Sequence, residues 1–449
     1  MEFSCAQRLA LEKAAELGPL MAQIGDAIWH YAEVGPLEAR SARYLTGLLE
    51  ENGFAVTRGT GGFPTGFIAQ YQNGQGPTAA LLCEYDALPA LSCLHEGENG
   101  HGCGHNLFSA ASVGCALVLK AVMEQCGVKG TLRVYGTPGE ENFGAKAYYV
   151  SQGLFDDVDC SVGFHAHDRN RVNYDVSAGT LLQDFIFHGR SAHAGDCPWE
   201  GRSALDAVEI MNVACNYLRE HVTPDVRIQY SVSCPSAYNV VPETASSRYC
   251  IRAASVPTID AVSRRVEDCA RGAALASGCT YEVRYLDRTY NTVLLREYAE
   301  LAQSWLEAVG PPAFSPEELE ASKAFGSGGG LHTAVSPLPA AEGYLGGATD
   351  EGDVSWVVPH VSIYVSNMAR GTVLHTLDAT RQFNMPAAYT AMAAQVKATA
   401  CMLLDILEHP QKAEELKAAH ARKMGDLRYP KNPGYRPDLA IFAGMPALD

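Results

Sequence analysis

Thr131-Leu132-Arg133-Val134-Tyr135-Gly136 runs directly into Thr137-Pro138-Gly139-Glu140-Glu141, and the same grammar returns at Val158–His165. Each is a short apolar run, a strand by composition, that stops where ionisable side chains begin. Ala145–Gln152 between them has helical composition. Upstream, Leu107–Gln125, rich in Ala, Leu and Val, predicts a buried helix. Strands alternating with helices imply a largely parallel sheet covered on both faces. Such sheets carry their chemistry in loops beyond the strand C-termini, where Glu140, Glu141 and His165 fall.

Working outward, Thr78–Cys83 is another apolar strand, and it ends on Glu84-Tyr85-Asp86-Ala87-Leu88-Pro89. Ala6–Tyr31 and Pro36–Asn52 read as helices, the second ending at Gly53, where a left-handed cap is expected. Phe54–Arg58 and Gly66–Tyr71 read as strands. From about Gly179 the texture changes. Strands at Leu181–His188, Arg227–Val232, Ser246–Ala253 and Thr280–Leu286 alternate with helices at Ser203–Glu220 and Ile259–Ser277. This β-α-β-β-α-β order resembles a ferredoxin-like α+β unit. The fold class expected is therefore α/β: a mixed, mostly parallel sheet flanked by helices, residues 1–178 and 293–449, with the α+β unit inserted at 179–292. Arg296–Val309 and Ala387–Glu408 resume the helical texture, Gly326–Gly330 is expected as a loop near the site, and the tail beyond Asp426 as extended chain.

Bulk properties limit the function. The 449 residues suit two domains, and a formal net charge of −17 argues against nucleic acid as a partner. No stretch approaches the ~20 uninterrupted apolar residues of a membrane span; even Val113–Met123 contains Lys120. The N-terminus lacks a secretory signal, and fourteen scattered cysteines then favour reduced thiols and a cytoplasmic location.

In His101-Gly102-Cys103-Gly104-His105-Asn106, a thiol and an imidazole two residues apart in a glycine-containing loop could converge on zinc or a similar divalent ion. The bland reading is a glycine-rich turn with incidental Cys and His. Asp86 could orient a metal-bound imidazole. Adjacent Glu140 and Glu141 repel unless something positive sits beside them; one could ligate while the other takes a proton from water acidified by the metal. An acidic surface turn is the alternative. His165 and His167 alternate along one strand face and either could ligate. His375 matters only if the chain returns to the same pocket, and His193 could donate to an oxyanion or simply sit in a helix-capping loop.

Taken in order, Asp86–Pro89, His101–Asn106, Gly139–Glu141, His165, Ser191–Ala194, Asn239–Pro242 and Leu374–Thr376 resemble the aminoacylase and glutamate-carboxypeptidase family of metallopeptidases, in its amidohydrolase branch. Ala348–Pro359 and Pro198–Ala207 are similar to segments of that branch. The resemblance implies one or two divalent ions per subunit, zinc or manganese, and an inserted lid that also dimerises. It implies Cys103, His105, Glu141, His165 and His375 as metal ligands, Glu140 as general base and Asp86 as the supporting carboxylate. His193 would be the lid histidine reaching the partner subunit's site, and Asn239 and Arg252 would bind substrate. Two departures stand out. Asn106 replaces an Asp, which removes a charge beside the metals, and His167 stands where the branch carries proline.

The expected activity is hydrolysis of an amide joining an acyl or aroyl group to an amino acid, as in aminobenzoyl-glutamate, acyl-amino acids or dipeptides. The expected assembly is a homodimer, with a heteromeric partner subunit as an option. Rival readings are a cysteine hydrolase using Cys103, a non-catalytic subunit of an amidohydrolase complex, and a hydrolytic deaminase of an aromatic amine on the same scaffold.

Overall fold

The structure is a computed structural model and describes residues 2–430. Helices α1 (Cys5–Glu16), α2 (Gly18–Tyr31) and α3 (Ala39–Glu51) lead to strands β1 (Ala55–Arg58), β2 (Phe67–Asn73) and β3 (Thr78–Cys83). Then come α4 (His105–Cys126), β4 (Gly130–Gly136), α5 (Ala145–Ser151), β5 (Cys160–His167), β6 (Arg171–Val172) and β7 (Asp175–Ser177). The middle of the chain forms β8 (Gly179–His188), α6 (Ala204–Leu218), β9 (Arg227–Ser233), β10 (Thr244–Ala253), α7 (Val256–Ser277) and β11 (Thr280–Thr289). The rest supplies α8 (Arg296–Val309), α9 (Pro316–Ser322), β12 (Gly343–Leu345), α10 (Glu351–Ser355), β13 (His360–Ser366), α11 (Leu377–Gln382), α12 (Pro386–Glu408) and α13 (Pro410–Met424).

Seven strands form the main sheet in the order β1-β2-β4-β3-β5-β13-β6. The pairs β4–β3, β3–β5 and β5–β13 are parallel, and the outer pairs are antiparallel. Residues along β3 alternate between two apolar clusters. Ala79, Leu81 and Cys83 join the one containing α4 and α12, while Ala80 and Leu82 join the one containing Phe63, Tyr135 and α5. A strand buried on both faces has no polar side to display, which is why β3 reads as a continuous apolar run.

The expected single helix Ala6–Tyr31 is two helices: α1 ends at Glu16 and α2 restarts with Pro19 in its first turn, where a missing N–H costs nothing. Strand β13, next to the edge of the main sheet, went unpredicted, although Val361-Ser362-Ile363-Tyr364-Val365 is rich in β-branched and apolar residues. The expected absence of membrane-length segments is also corrected. Helices α4 and α12, of 22 and 23 residues, are long and apolar enough to cross a bilayer, and 89% and 83% of their most apolar windows are buried inside the fold. Of the expected extended tail, Tyr429-Pro430 is non-helical and Lys431-Asn432-Pro433 lies outside the described residues. All fourteen cysteines are free thiols.

The second sheet has the order β11-β8-β10-β9 with every neighbour antiparallel. Its inward side chains, among them Phe185, Phe187, Tyr249 and Ile251, pack under α6 and α7 in a core of their own.

Candidate metal centre

The ends of β3, β4 and β5 deliver side chains to one place, and the His101–Asn106 loop joins them through its two glycines. A Cβ on Gly102 would lie 2.8 Å from Leu91 Cδ1 and 3.2 Å from His375 Cα. That close approach lets the Gly102 carbonyl accept from His375 N at 2.9 Å. Gly104 takes φ +97° and caps α4, which begins with His105.

Two groups of donor atoms result. Cys103, Glu141 and His375 form one, and Glu84, His105 and Glu140 the other, with the atoms of each group within 4.8 Å of one another. His165 adjoins the first, its Nε2 3.9 Å from Cys103 Sγ. In the second, His105 Nε2 lies 3.4 Å from Glu84 Oε2 and 4.0 Å from Glu140 Oε2.

The surroundings orient these groups. His105 Nδ1 lies 2.8 Å from Asp86 Oδ1. Burial works against charge on Asp86, but His105 and a hydrogen bond from Glu141 N (3.0 Å) outweigh it, so the carboxylate sits below its ordinary range and accepts the Nδ1 hydrogen. With Nδ1 committed to Asp86, Nε2 is the ring nitrogen turned towards Glu84 and Glu140. His165 Nδ1 donates to Ala166 O at 2.7 Å, freeing its Nε2 in the same way. Burial brings His165 down to about 4.

A cation fits this site on charge and on hydrogen bonding. Four carboxylates (Glu84, Asp86, Glu140 and Glu141) crowd together; burial, then the charges of Glu84 and Asp350, push Glu140 well above its ordinary value. Glu141 Oε1 lies 3.1 Å from His375 Nε2, yet no aligned hydrogen-bond donor serves it. Burial also raises the Cys103 thiol, so a thiolate there requires a neighbouring cation. A cysteine nucleophile needs a lowered pKa instead.

Three groups that sequence reasoning passed over complete the site. Lys146, fully buried, places Nζ 2.7 Å from Glu84 Oε1 and also pairs with Asp350. Asp350 accepts from Lys146 N at 3.0 Å as well. Glu351 accepts from Ser362 Oγ at 2.8 Å and lies 3.3 Å from His360 Nε2. The only sequence signal for Lys146 was a lysine flanked by Ala145 and Ala147 in a short apolar helix. Helix α10 also holds the chain as it leaves β11: Tyr290 N donates to Asp353 Oδ2 at 3.2 Å and Val293 N to Ser355 Oγ at 2.8 Å.

Other expected residues lie elsewhere. Asn106 is tied elsewhere through its amide nitrogen. It is buried, and its amide donates to Gly25 O and Phe383 O at 3.2 and 3.0 Å, so the missing charge is replaced by a tie between α2 and the chain after α11. His101 Nε2 donates to Ile28 O at 3.0 Å, away from the site. His167 belongs to neither donor group; its Nδ1 lies 3.0 Å from Asp168 Oδ1 and its ring stacks on Tyr364. His193 and Asn239 come together, Ala194 N donating to Asn239 O at 3.0 Å, and Arg252 is half-buried on β10. Among the described residues, no hydrogen bond or ion pair joins these three to the donor groups.

Comparison with known proteins gives a consistent picture. Residues 80–377 match the model of peptidase family M20/M25/M40. The chain is 33% identical to the B-subunit of p-aminobenzoyl-glutamate hydrolase from Escherichia coli (strain K12), covering 91% of this chain and 94% of that protein. It is 30% identical to the Xaa-Arg dipeptidase of Mus musculus, covering 91% and 90%. Among solved structures, the YXEP protein of Bacillus subtilis, described as a dinuclear metal binding peptidase, superposes with a TM-score of 0.62 at 17% identity, covering 88% of this chain and 99% of that one. With two thirds of its length matched by the family model and a relative at one third identity along nearly all of it, the chain belongs to peptidase family M20/M25/M40.

Proposed function

We propose that this hydrolase of carbon–nitrogen bonds cleaves the amide between an acyl or aroyl group and an amino acid, in a metal-dependent reaction. The observation that carries the reading is the pair of adjacent donor groups, Cys103–Glu141–His375 and Glu84–His105–Glu140, with His165 beside the first. Cys103, His105, Glu141, His165 and His375 would hold one or two divalent ions, zinc or manganese. When bound, such ions supply Lewis acidity and acidify water.

The chain's own residues do the rest. Glu140 Oε2 takes a proton from the attacking water and returns it to the leaving amine nitrogen. Burial, which favours the protonated form of Glu140, suits it to hold that proton between the two steps. Asp86 fixes the His105 tautomer, and Lys146 holds Glu84 in place. The unit around β8–β11 acts as the lid and the dimer contact, with His193 of the partner subunit donating to the oxyanion and Asn239 and Arg252 meeting substrate. One relative is itself a component of a multi-subunit hydrolase, which supports a heteromeric partner as a further mode of assembly. A cytoplasmic location completes the proposal.

The test is Glu140→Ala, assayed on acyl-amino acids and dipeptides with zinc- and manganese-loaded protein. The variant is expected to fold and keep its metal while losing at least about a hundredfold in kcat. Retained turnover removes Glu140 as the base. Release of ammonia instead of an amino acid marks a deaminase, and full activity after rigorous chelation ends the metal reading.

A further inference from the structure

The chain enters the β8–β11 unit through Ser177–Gly179 and leaves it through Thr289–Val293. These crossings are bound to each other, Ser177 N donating to Thr292 Oγ1 at 2.8 Å. The outgoing crossing is also gripped along its length by α10 and the residue after it. Besides the bonds from Tyr290 N to Asp353 and from Val293 N to Ser355, Trp356 Nε1 donates to Asn291 O at 2.8 Å. A Cβ on Gly352 would run into the Tyr290 carbonyl oxygen, so helix and crossing meet backbone to backbone. Asp353, with no accessible surface, accepts a second bond from the Tyr429 hydroxyl at 2.7 Å. The Tyr429 ring lies 4.6 Å from that of Tyr290.

The other end of the same short helix belongs to the donor groups. Asp350, its N-cap, shares the buried Lys146 ammonium with Glu84, a member of the second group. Glu351 lies against β5: a Cβ on Gly163, two residues before His165, would run into its carboxylate. Only about 7.5 Å of helix axis therefore separates the charges beside the centre from the joint of the β8–β11 unit. Neither end shifts without breaking a buried pair or leaving a buried N–H unserved.

Lys146 gives this connection a direction. One ammonium serves two buried carboxylates. With a divalent ion beside Glu84 and Glu140, Glu84 no longer needs Lys146, and repulsion from the ion drives the ammonium onto Asp350. The N-terminal end of α10 is then held more tightly, and the crossing with it.

We propose that α10 couples occupancy of the metal centre to the joint of the β8–β11 unit, with Asp353 and Tyr429 as the positioning residues that fix that joint. This rests on the metal-dependent reading and adds to it a route by which loading the centre stiffens the inserted unit.

The test is hydrogen exchange on the full chain, chelated and zinc-loaded, read in peptides spanning residues 288–294 and in peptides from β8 and β10. Zinc should slow the Tyr290 and Val293 amides by at least about fivefold and change β8 and β10 by less than about twofold. Tyr429→Phe keeps the ring and removes the hydroxyl; it should speed the Tyr290 amide roughly threefold, with or without zinc. Lys146→Met should abolish the zinc effect. Asp350→Asn cuts the same connection and serves if the methionine variant does not fold. Zinc uptake is measured alongside by competition with a chromophoric chelator. Uptake with equal slowing in every peptide, or with none at 288–294, overturns the coupling. So does an undiminished zinc effect in Lys146→Met, or an unmoved Tyr290 amide in Tyr429→Phe. Absence of uptake by the parent chain sinks the metal reading itself, and the coupling with it.

Discussion

Lys146→Met probes the centre through its least exposed cation. Lys146 has no accessible surface, and its ammonium is enclosed by Glu84, 2.7 Å away, and Asp350. Methionine fills a similar volume but strands both carboxylates in the interior. Removing one partner of a buried pair costs about 3–5 kcal/mol. At ~2.1 cal/mol/K per residue, roughly 300 residues melting together lose about 0.6 kcal/mol for each degree, so Tm should fall by roughly 5–8 °C. Circular dichroism melts in the presence of a chelator read this directly. Adding a divalent ion should narrow the gap, because an ion beside Glu84 takes over part of the lost compensation. Lys146→Met combined with Asp350→Asn should melt above the single variant, since one of the two stranded charges is gone. A single variant within about 1 °C of the parent, under chelation, would refute the reasoning.

Glu38 gives a pH-dependent prediction. Burial, and next the charge of Asp86, push it from 4.5 up to about 8. Its stability contribution is therefore full below about 4.5 and lost as pH rises through about 8. Thr65 Oγ1 has one hydrogen to share between Pro36 O at 3.0 Å and Glu38 Oε2 at 3.2 Å, an arrangement that a protonated Glu38 satisfies and glutamine can imitate. Glu38→Gln should gain on the parent from pH 5 to pH 8 in urea denaturation; a constant difference would contradict the assignment. Gly102→Ala should press on Leu91 and shift His375, weakening metal affinity by about tenfold in competition with a chromophoric chelator. Unchanged affinity would show that His375 does not depend on that contact.

Much of this architecture was legible because strands buried on both faces write themselves as apolar runs, and their ends stand out when carboxylates or histidines follow. Glu140, Glu141 and His165 were visible in that way. Strand β13 was not, since it sits among short, irregular elements and its neighbours in the sheet, β5 and β6, lie far away in sequence. Lys146 was invisible for a physical reason: a lysine in a short helix normally faces water, and only the fold shows Asp350, 204 positions on, waiting for it. The tie made by Asn106 was not legible because its partners, Gly25 and Phe383, are backbone carbonyls, which no side-chain pattern announces. Helix α10 and the chain leaving β11 looked like separate features until the two segments met.

The order of the main sheet also sets a timetable for synthesis. His375 follows β13, which must slot between β5 and β6 before that histidine can approach Glu141. Helix α1 waits longer still, since Gln7 Nε2 donates to Cys401 O, deep in α12. At about 5–20 residues per second, His375 emerges from the ribosome tens of seconds or less after His105. Throughout that interval Cys103, His105 and Glu141 would form, on the proposed ligand set, an incomplete group of donors, open to whichever ion the cell offers first. On the proposed ligand set, the complement of metal would be decided at the end of translation or after it, when His375 joins the other donors.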